Sequence, residues 1–348
     1  MEMIELFTFP DSVNLANRPT RLYRPRRSLA DYSGGREILV KRDDETGCGT
    51  SGNKIRKLEF YAAEALQQGA DTMITAGNRI SNHTRTTALV ARELGMDLHL
   101  ILAGEGECQV DGNLLLEMVA GAEIHFVPPQ DRSELNLRLA ELAEELRALG
   151  RKPYVVPAGG SSPLGVLGYA RCAQEIKQQI DEAGVRIDAI TVALGSGSTT
   201  AGLILGAEMF GLGCPVYGVH ISSRPEVYGP LLRALIDETR DRFHIATEVP
   251  DDRIRVITGY VGDGYGQTCA EDLAFIQDIA SRTGLLLDPT YTGKAFRGTL
   301  REMQKGVLQN CERVLFIHTG GLFGLYNRRS EFRFAKPSEL ALQAQAPV

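Results

Sequence analysis

A lysine that opens a helix directly after a small, turn-forming run is a candidate nucleophile. Ser51-Gly52-Asn53 precedes Lys54, and Ile55, Leu58, Ala62 and Leu66 then recur at helical spacing until Gly69 offers a stop. The positive end of a helix dipole disfavours a second cation there. With burial, this keeps part of the amine neutral, the form that a Schiff base with an aldehyde cofactor requires. Most lysines near a helix start are simply solvated, so the meaning of Lys54 depends on its company.

Three other groups could supply that company. Gly195-Ser196-Gly197-Ser198-Thr199-Thr200-Ala201-Gly202 ends an apolar run and opens a helix. Its glycines let a ligand approach the backbone, and free N–H groups with Ser/Thr hydroxyls make a phosphate cradle. No Lys-Ser/Thr pair follows, and Gly202 comes too late for G-x-G-x-x-G, so neither nucleotide fingerprint is met. A phosphate held by backbone dipoles, as in a phosphorylated cofactor, fits better. Ser81-Asn82-His83 starts another helix, where hydroxyl, amide and backbone N–H groups could bind a carboxylate. An ordinary N-cap explains the same residues equally well. Tyr265 and Tyr291 each sit in a glycine- or proline-containing turn, where a phenol can relay a proton.

Elements that could position these residues are visible along the chain. Strand candidates are Ile38–Lys41, Thr72–Thr75, Leu98–Leu102, Glu123–Val127, Tyr154–Val156, Ala189–Leu194, Val216–His220 and Val314–His318. Between them lie helix candidates at Lys54–Gln68, Asn82–Leu94, Arg132–Leu149, Gly168–Ala183, Thr199–Phe210, Ala270–Thr283 and Ala295–Lys305. This alternation predicts an α/β protein with parallel sheets. The polar turns at 77–85, 159–161, 195–202 and 319–321 all follow strands, where ligands gather in such sheets.

Composition narrows the function classes. The chain has 348 residues, 43% hydrophobic and 24% charged, with a net charge of −6. There is no basic footprint for nucleic acid and no apolar run of membrane-spanning length. The six cysteines form no C-x-x-C pair, which predicts reduced thiols in a cytoplasmic protein. The six histidines show no metal-ligand spacing, so no metal is expected.

Taken together, Lys41-Arg42-Asp43-Asp44, Gly52-Asn53-Lys54-x-Arg56-Lys57-Leu58-Glu59, Ser81-Asn82-His83, the 195–202 loop, Asp288-Pro289-x-Tyr291-Thr292-Gly293-Lys294-Ala295 and His318-Thr319-Gly320-Gly321 resemble the D-cysteine desulfhydrase and 1-aminocyclopropane-1-carboxylate deaminase family. These are pyridoxal-phosphate enzymes of the tryptophan-synthase-β fold, fold type II. The resemblance runs from about Pro19 to Tyr326. It implies two open, twisted parallel-sheet domains with pyridoxal 5'-phosphate in the cleft between them: a large one from 1–56 plus 168–348, and a small inserted one at 57–167. It implies that Lys54 carries the cofactor and returns as base or acid at Cα. Gly195, Ser196, Gly197, Ser198 and Thr199 would hold its phosphate. Ser81, Asn82 and His83 would face the substrate carboxylate, with Asn82 also near the cofactor. Tyr265 and Tyr291 match the family's two active-site tyrosines, and Thr319 would lie by the pyridine nitrogen. A homodimer acting on a small amino acid is expected.

The reaction follows from one position. Ring-opening deaminases of the family carry a glutamate at the site of Thr292, whereas the desulfhydrases carry threonine. A neutral hydroxyl leaves the ring a weaker electron sink, which suits early expulsion of a leaving group from Cβ. The leading expectation is therefore conversion of D-cysteine to pyruvate, ammonia and sulfide. The segment Asn78-Arg79-Ile80 departs from the family pattern. An inward-facing Arg79 would select a second anionic group, as in a cysteate sulfo-lyase that releases sulfite. The residues also admit the cyclopropane-acid deaminase, a non-catalytic cofactor-binding homologue and, leaving the lysine unexplained, a dinucleotide oxidoreductase.

Overall fold

The computed structural model describes residues 7–104, 109–129, 131–222 and 224–333. In chain order its strands are β1 (Leu22–Tyr23), β2 (Glu37–Lys41), β3 (Thr72–Asn78), β4 (Asp97–Ala103), β5 (Glu123–Val127), β6 (Pro153–Val156), β7 (Ala189–Leu194), β8 (Val216–His220), β9 (Arg255–Ile257) and β10 (Arg313–Ile317). Its helices are α1 (Ala30–Ser33), α2 (Asn53–Gln67), α3 (Asn82–Glu93), α4 (Gly112–Val119), α5 (Arg132–Ala148), α6 (Pro163–Ala183), α7 (Ser198–Met209), α8 (Tyr228–Phe243), α9 (Ala270–Thr283) and α10 (Thr292–Lys305).

The strands form two sheets. One has six strands in the order β1-β2-β10-β7-β8-β9, parallel except for β1, and the other has four in the order β5-β4-β3-β6. Both faces of the larger sheet are covered. Leu315 and Ile317 of β10 enter one apolar core, while Val314 and Phe316 enter another. Burial on both sides explains why these strands read as continuous apolar runs rather than alternating ones.

The chain leaves the larger sheet after β2 and returns to it at β7, with the smaller sheet built in between. The connections are helices. The expected boundaries at 56/57 and 167/168 fall inside α2 and α6, which run unbroken across them. α2 is buried at Ile55 through Ala63 and at Ala65 because it is covered on nearly every side. Leu66, expected on its apolar face, is 48% exposed where the helix end passes beyond the core.

An ionic cluster fixes α2 from beneath. Arg56 donates to Asp43 through Nε at 2.7 Å and Nη2 at 2.8 Å, and to Glu175 through Nη1 at 2.9 Å. The Tyr169 hydroxyl donates to Asp43 at 2.6 Å, and Lys41 pairs with Glu175. Burial pushes the Asp43 carboxyl up, but Arg56 and then Lys41 outweigh it and hold it below the ordinary carboxylate range. Removing one partner from such a buried pair costs roughly 3–5 kcal/mol.

Three helices of the structure, α1, α4 and α8, and the short strands β1 and β9 are not among the elements that the residue pattern predicts. α8 begins Tyr228-Gly229-Pro230, which reads as a turn. Proline is tolerated in a first helical turn because its missing N–H has no intrahelical partner there. α4 opens on Gly112 and is only 8 residues long. α6 starts at Pro163 and α10 at Thr292, earlier than their apolar periodicity suggests. Cys108 and the C-terminal tail, expected to fray, lie outside the described residues.

Candidate active site

The polar turns named from sequence converge at the carboxyl ends of both sheets. They line a cleft of about 460 Å³ whose walls carry Lys54, Ser81, Asn82, His83, Gly195, Ser196, Gly197, Thr199, Tyr265, Tyr291 and Thr319. That volume suits a small cofactor with a small substrate.

Lys54 owes its place to the backbone around it. Gly52 has φ +109°, and a Cβ there would lie 2.7 Å from the carbonyl oxygen of Thr319. That close approach lets Asn53 N–H donate to Thr319 O at 3.1 Å, docking the start of α2 on the end of β10. From the smaller-sheet side, buried Arg85 of α3 donates to the carbonyls of Gly49 and Ser51. Held in this way, Lys54 Nζ donates to Gly159 O at 3.0 Å in the turn after β6.

The start of α7 has no side-chain cap. Its N-cap is Gly197, at φ +98°, and Thr200 Oγ1 is buried with no hydrogen-bond partner. Uncapped N–H groups, the dipole and an unused hydroxyl together suit an anion. Asn53 Nδ2 donates to Thr199 Oγ1 at 3.0 Å, and Lys57 Nζ donates to Ser198 Oγ at 2.8 Å. The sequence of the loop supplies no lysine. The fold supplies one from α2, a turn after Lys54, and the loop's spacing gives no signal of it. Ser198 itself is buried behind the helix start and its Oγ donates to Gly160 O.

The start of α3 is capped from within. Ser81 Oγ accepts from His83 N–H at 3.1 Å and Thr84 N–H at 3.3 Å, so the ordinary N-cap role of Ser81 is real. Asn82 is held through Oδ1 by Asn113 Nδ2 at 3.1 Å. The Thr75 hydroxyl donates to Val156 O and therefore accepts from His83 Nε2–H at 2.8 Å. This leaves His83 Nδ1 as a buried acceptor without a partner. Burial, then the charges of Lys54 and Lys57, keep this imidazole neutral.

Tyr265 and Tyr291 meet across the cleft. Their hydroxyls hydrogen-bond each other and their rings cross edge to face with centroids 5.8 Å apart. Asn78 Nδ2 donates to Tyr265 Oη at 3.1 Å. Burial pushes both phenols up, Tyr291 the further. Asn78 is a cleft residue that its type and spacing do not single out; its one signal is the departure from the family pattern at 78–80.

Two expectations need correction. Arg79 does not line the cleft. Arg79 lies in the turn that follows β3, beyond the strand's last residue, Asn78. The Arg79 guanidinium lies 5.1 Å from the Phe126 ring centroid and its stem packs on Gly104. Arg224, in the left-handed region at φ +81°, is a cation that does line the cleft. Thr292 is also absent from the lining: its Oγ1 donates to Asp288 Oδ1 at 2.8 Å and accepts from Asp288 N–H at 2.7 Å. Asp288 reaches the cleft wall, with both oxygens committed to the N–H groups of Thr290, Tyr291 and Thr292.

The residues fit a pyridoxal phosphate: an amine for its aldehyde, and an uncapped helix with an idle hydroxyl for its phosphate. Comparison with known proteins agrees. The model of the pyridoxal-phosphate dependent enzymes matches residues 13–320. The chain is 40% identical to a D-cysteine desulfhydrase of Yersinia enterocolitica, over 92% of this chain and 97% of that protein. It is 38% identical to a mitochondrial bifunctional D-cysteine desulfhydrase/1-aminocyclopropane-1-carboxylate deaminase of Arabidopsis thaliana, over 90% and 79%. A solved structure described as an ACC deaminase homologue superposes with a TM-score of 0.84 at 39% identity, covering 92% of this chain and 95% of that one.

Proposed function

Because the chain belongs to the family of pyridoxal-phosphate dependent enzymes, we propose that it is a lyase that takes the Cα proton from D-cysteine and expels sulfide from Cβ. The observation that carries this reading is the placing of Lys54, on a rigid helix start, in one cleft with a hydrogen-bonded tyrosine pair and an uncapped helix.

The bound cofactor supplies an electron sink for Cα. Lys54 would hold it through Nζ, and the same amine would take the Cα proton of the substrate. The N–H groups of the 195–199 segment, that of Ser198 included, would hold the phosphate, with the Ser196 and Thr199 side chains around it and Thr200 Oγ1 adding a donor. Thr319, which lines the cleft, would offer the ring nitrogen a neutral hydroxyl. The Ser81 hydroxyl and the Asn82 side-chain amide would donate to the substrate carboxylate at the start of α3, with the neutral His83 imidazole lining the wall beside them. The tyrosine pair has two hydroxyl protons and uses one between its members, so the other is available to the departing sulfur. Cleavage of the Cβ–S bond releases sulfide, and the resulting aminoacrylate hydrolyses to pyruvate and ammonia.

A second reading is the cyclopropane-acid deaminase, favoured by the double name of the Arabidopsis relative. Sulfite release from cysteate has no cation to support it at position 79, since Arg79 faces away. The reading includes a homodimer in the cytoplasm. The family resemblance supports the dimer, and α4 offers exposed Leu115, Met118 and Val119 as an apolar face.

The test is turnover of D-cysteine, L-cysteine and 1-aminocyclopropane-1-carboxylate, with pyruvate, sulfide and 2-oxobutyrate measured. Equal pyruvate and sulfide from D-cysteine, lost in Lys54→Ala, is the expected result. 2-Oxobutyrate without sulfide would replace it with the deaminase.

A further inference from the structure

We propose that His99, Glu123 and His125 bind one divalent transition-metal ion of the zinc class on the smaller sheet, at the end away from the cleft. His99 is the third residue of β4, and Glu123 and His125 are the first and third of β5. The two strands pair in parallel, His99 opposite Glu123 and Ile101 opposite His125. Side chains two apart on a strand share a face, so this register puts all three on one side of the sheet.

Their donor atoms already stand at metal-site spacing. His99 Nδ1 lies 3.2 Å from His125 Nε2 and 3.7 Å from Glu123 Oε2, and all three donor atoms fall within 4.8 Å of one another. In a tetrahedral zinc site with metal–nitrogen bonds of about 2.0–2.1 Å, donor atoms stand roughly 3.3 Å apart. The ring centroids of the two imidazoles lie 5.5 Å apart with 16° between planes, the facing nitrogens between them, and a rotation of the partly exposed His125 ring would aim both at one ion. Among the described residues this is the only group of three His, Cys, Asp or Glu side chains with donors so close. Two imidazoles and a carboxylate suit zinc, nickel or copper better than magnesium or calcium, which take oxygen donors. Three protein ligands leave a position for water.

Placement separates this site from the lyase chemistry. Ala103, at the other end of β4, lines the cleft, and four residues of strand put roughly 13 Å between it and His99. β5 is the edge strand of its sheet and is joined to it only through β4. A metal bridging the two strands would staple that edge. The sequence conceals the site because its halves lie on different strands, with only Glu-x-His left in a single segment.

The holoenzyme, stripped with a chelator and dialysed, is titrated with zinc by calorimetry, and the metal's neighbours are read by X-ray absorption. The expected result is one zinc per chain with nitrogen and oxygen neighbours, and a thermal midpoint that rises with zinc. His125→Ala and Glu123→Gln should each weaken binding at least tenfold and abolish that rise. Neither side chain is in the core, so both variants test the site even if His99→Ala fails to fold. No stoichiometric binding, sulfur neighbours, or affinity within twofold of wild type in His125→Ala would overturn the assignment. The close imidazoles would then be a histidine–histidine hydrogen bond.

Discussion

α3 and α7 both aim their N-termini into the cleft, one from each sheet, yet they treat their unpaired N–H groups in opposite ways. α3 satisfies its own: Ser81 Oγ accepts from His83 and Thr84. α7 begins at Gly197 with no cap and keeps Thr200 Oγ1 buried without a partner. A capped start is complete in the empty protein and can meet a ligand that comes and goes. An uncapped start is a standing set of unmet donors, which suits a phosphate that stays. Lys54 lies between the two, on the start of α2.

Removing Lys54 should have the largest effect, since it takes away what both helices serve. Lys54→Ala should lower turnover by roughly 10²–10⁴-fold, the range for a positioned proton-transfer group. Steady-state rates and the loss of the cofactor's lysine-linked absorbance check this together. Turnover near wild type would assign the proton transfer elsewhere.

The support beneath α3 should show itself next. Burial lifts the Glu117 carboxyl from the ordinary 4.5 to about 8, opposed by Thr84 and Arg85. The folded protein thus keeps a proton that the unfolded chain releases. Its contribution is fully present below about 4.5 and is lost as pH rises toward about 8. Glu117→Gln should therefore flatten the fall in thermal midpoint across that window, and an unchanged slope would place the loss in another group.

Gly197→Ala comes third. At φ +98° a Cβ is strained, and it would meet Leu235 at 3.0 Å. A strain of about 1–3 kcal/mol should weaken cofactor affinity about tenfold or more, with activity restored by excess pyridoxal phosphate.

The smallest pair divides the two helices most cleanly. Thr200→Val should cost cofactor affinity about two- to tenfold, the worth of a neutral hydrogen bond, and leave the cofactor-free protein as stable as before. Ser81→Ala should do the reverse on stability, losing about 1 kcal/mol with or without cofactor. Denaturant titrations with and without cofactor read both. Equal behaviour of the two variants would break the distinction.

The legible parts of this protein were local. Glu123–Val127, Ala189–Leu194, Val216–His220 and Ala270–Thr283 have the bounds their residue patterns suggest, because periodicity and punctuation act over a few residues. α8 was hidden behind Gly229-Pro230, and α4 by its shortness. In the cleft, Lys54, the 195–199 loop, Ser81 and both tyrosines were visible as residue types in turns. Asn78, Lys57 and Arg224 were not, because what makes each relevant is a neighbour far along the chain. Arg79 misled for the same reason: its packing on Phe126 and Gly104, not its distance in sequence from Ser81, decides where it points.

The sequence by itself determined the α/β alternation, the lysine on a helix start, the glycine-rich turn and the family they compose. Those are properties of segments, set by backbone freedom, apolar spacing and side-chain type. Only the tertiary structure decided which groups keep unused donors, which cation stands beside the start of α7, and that Thr292 is committed to Asp288. It also brought two strands together so that His99, Glu123 and His125 share a face. Hydrogen bonds and charges act over a few ångströms of space, and the order of residues along a chain does not specify which of them come that close.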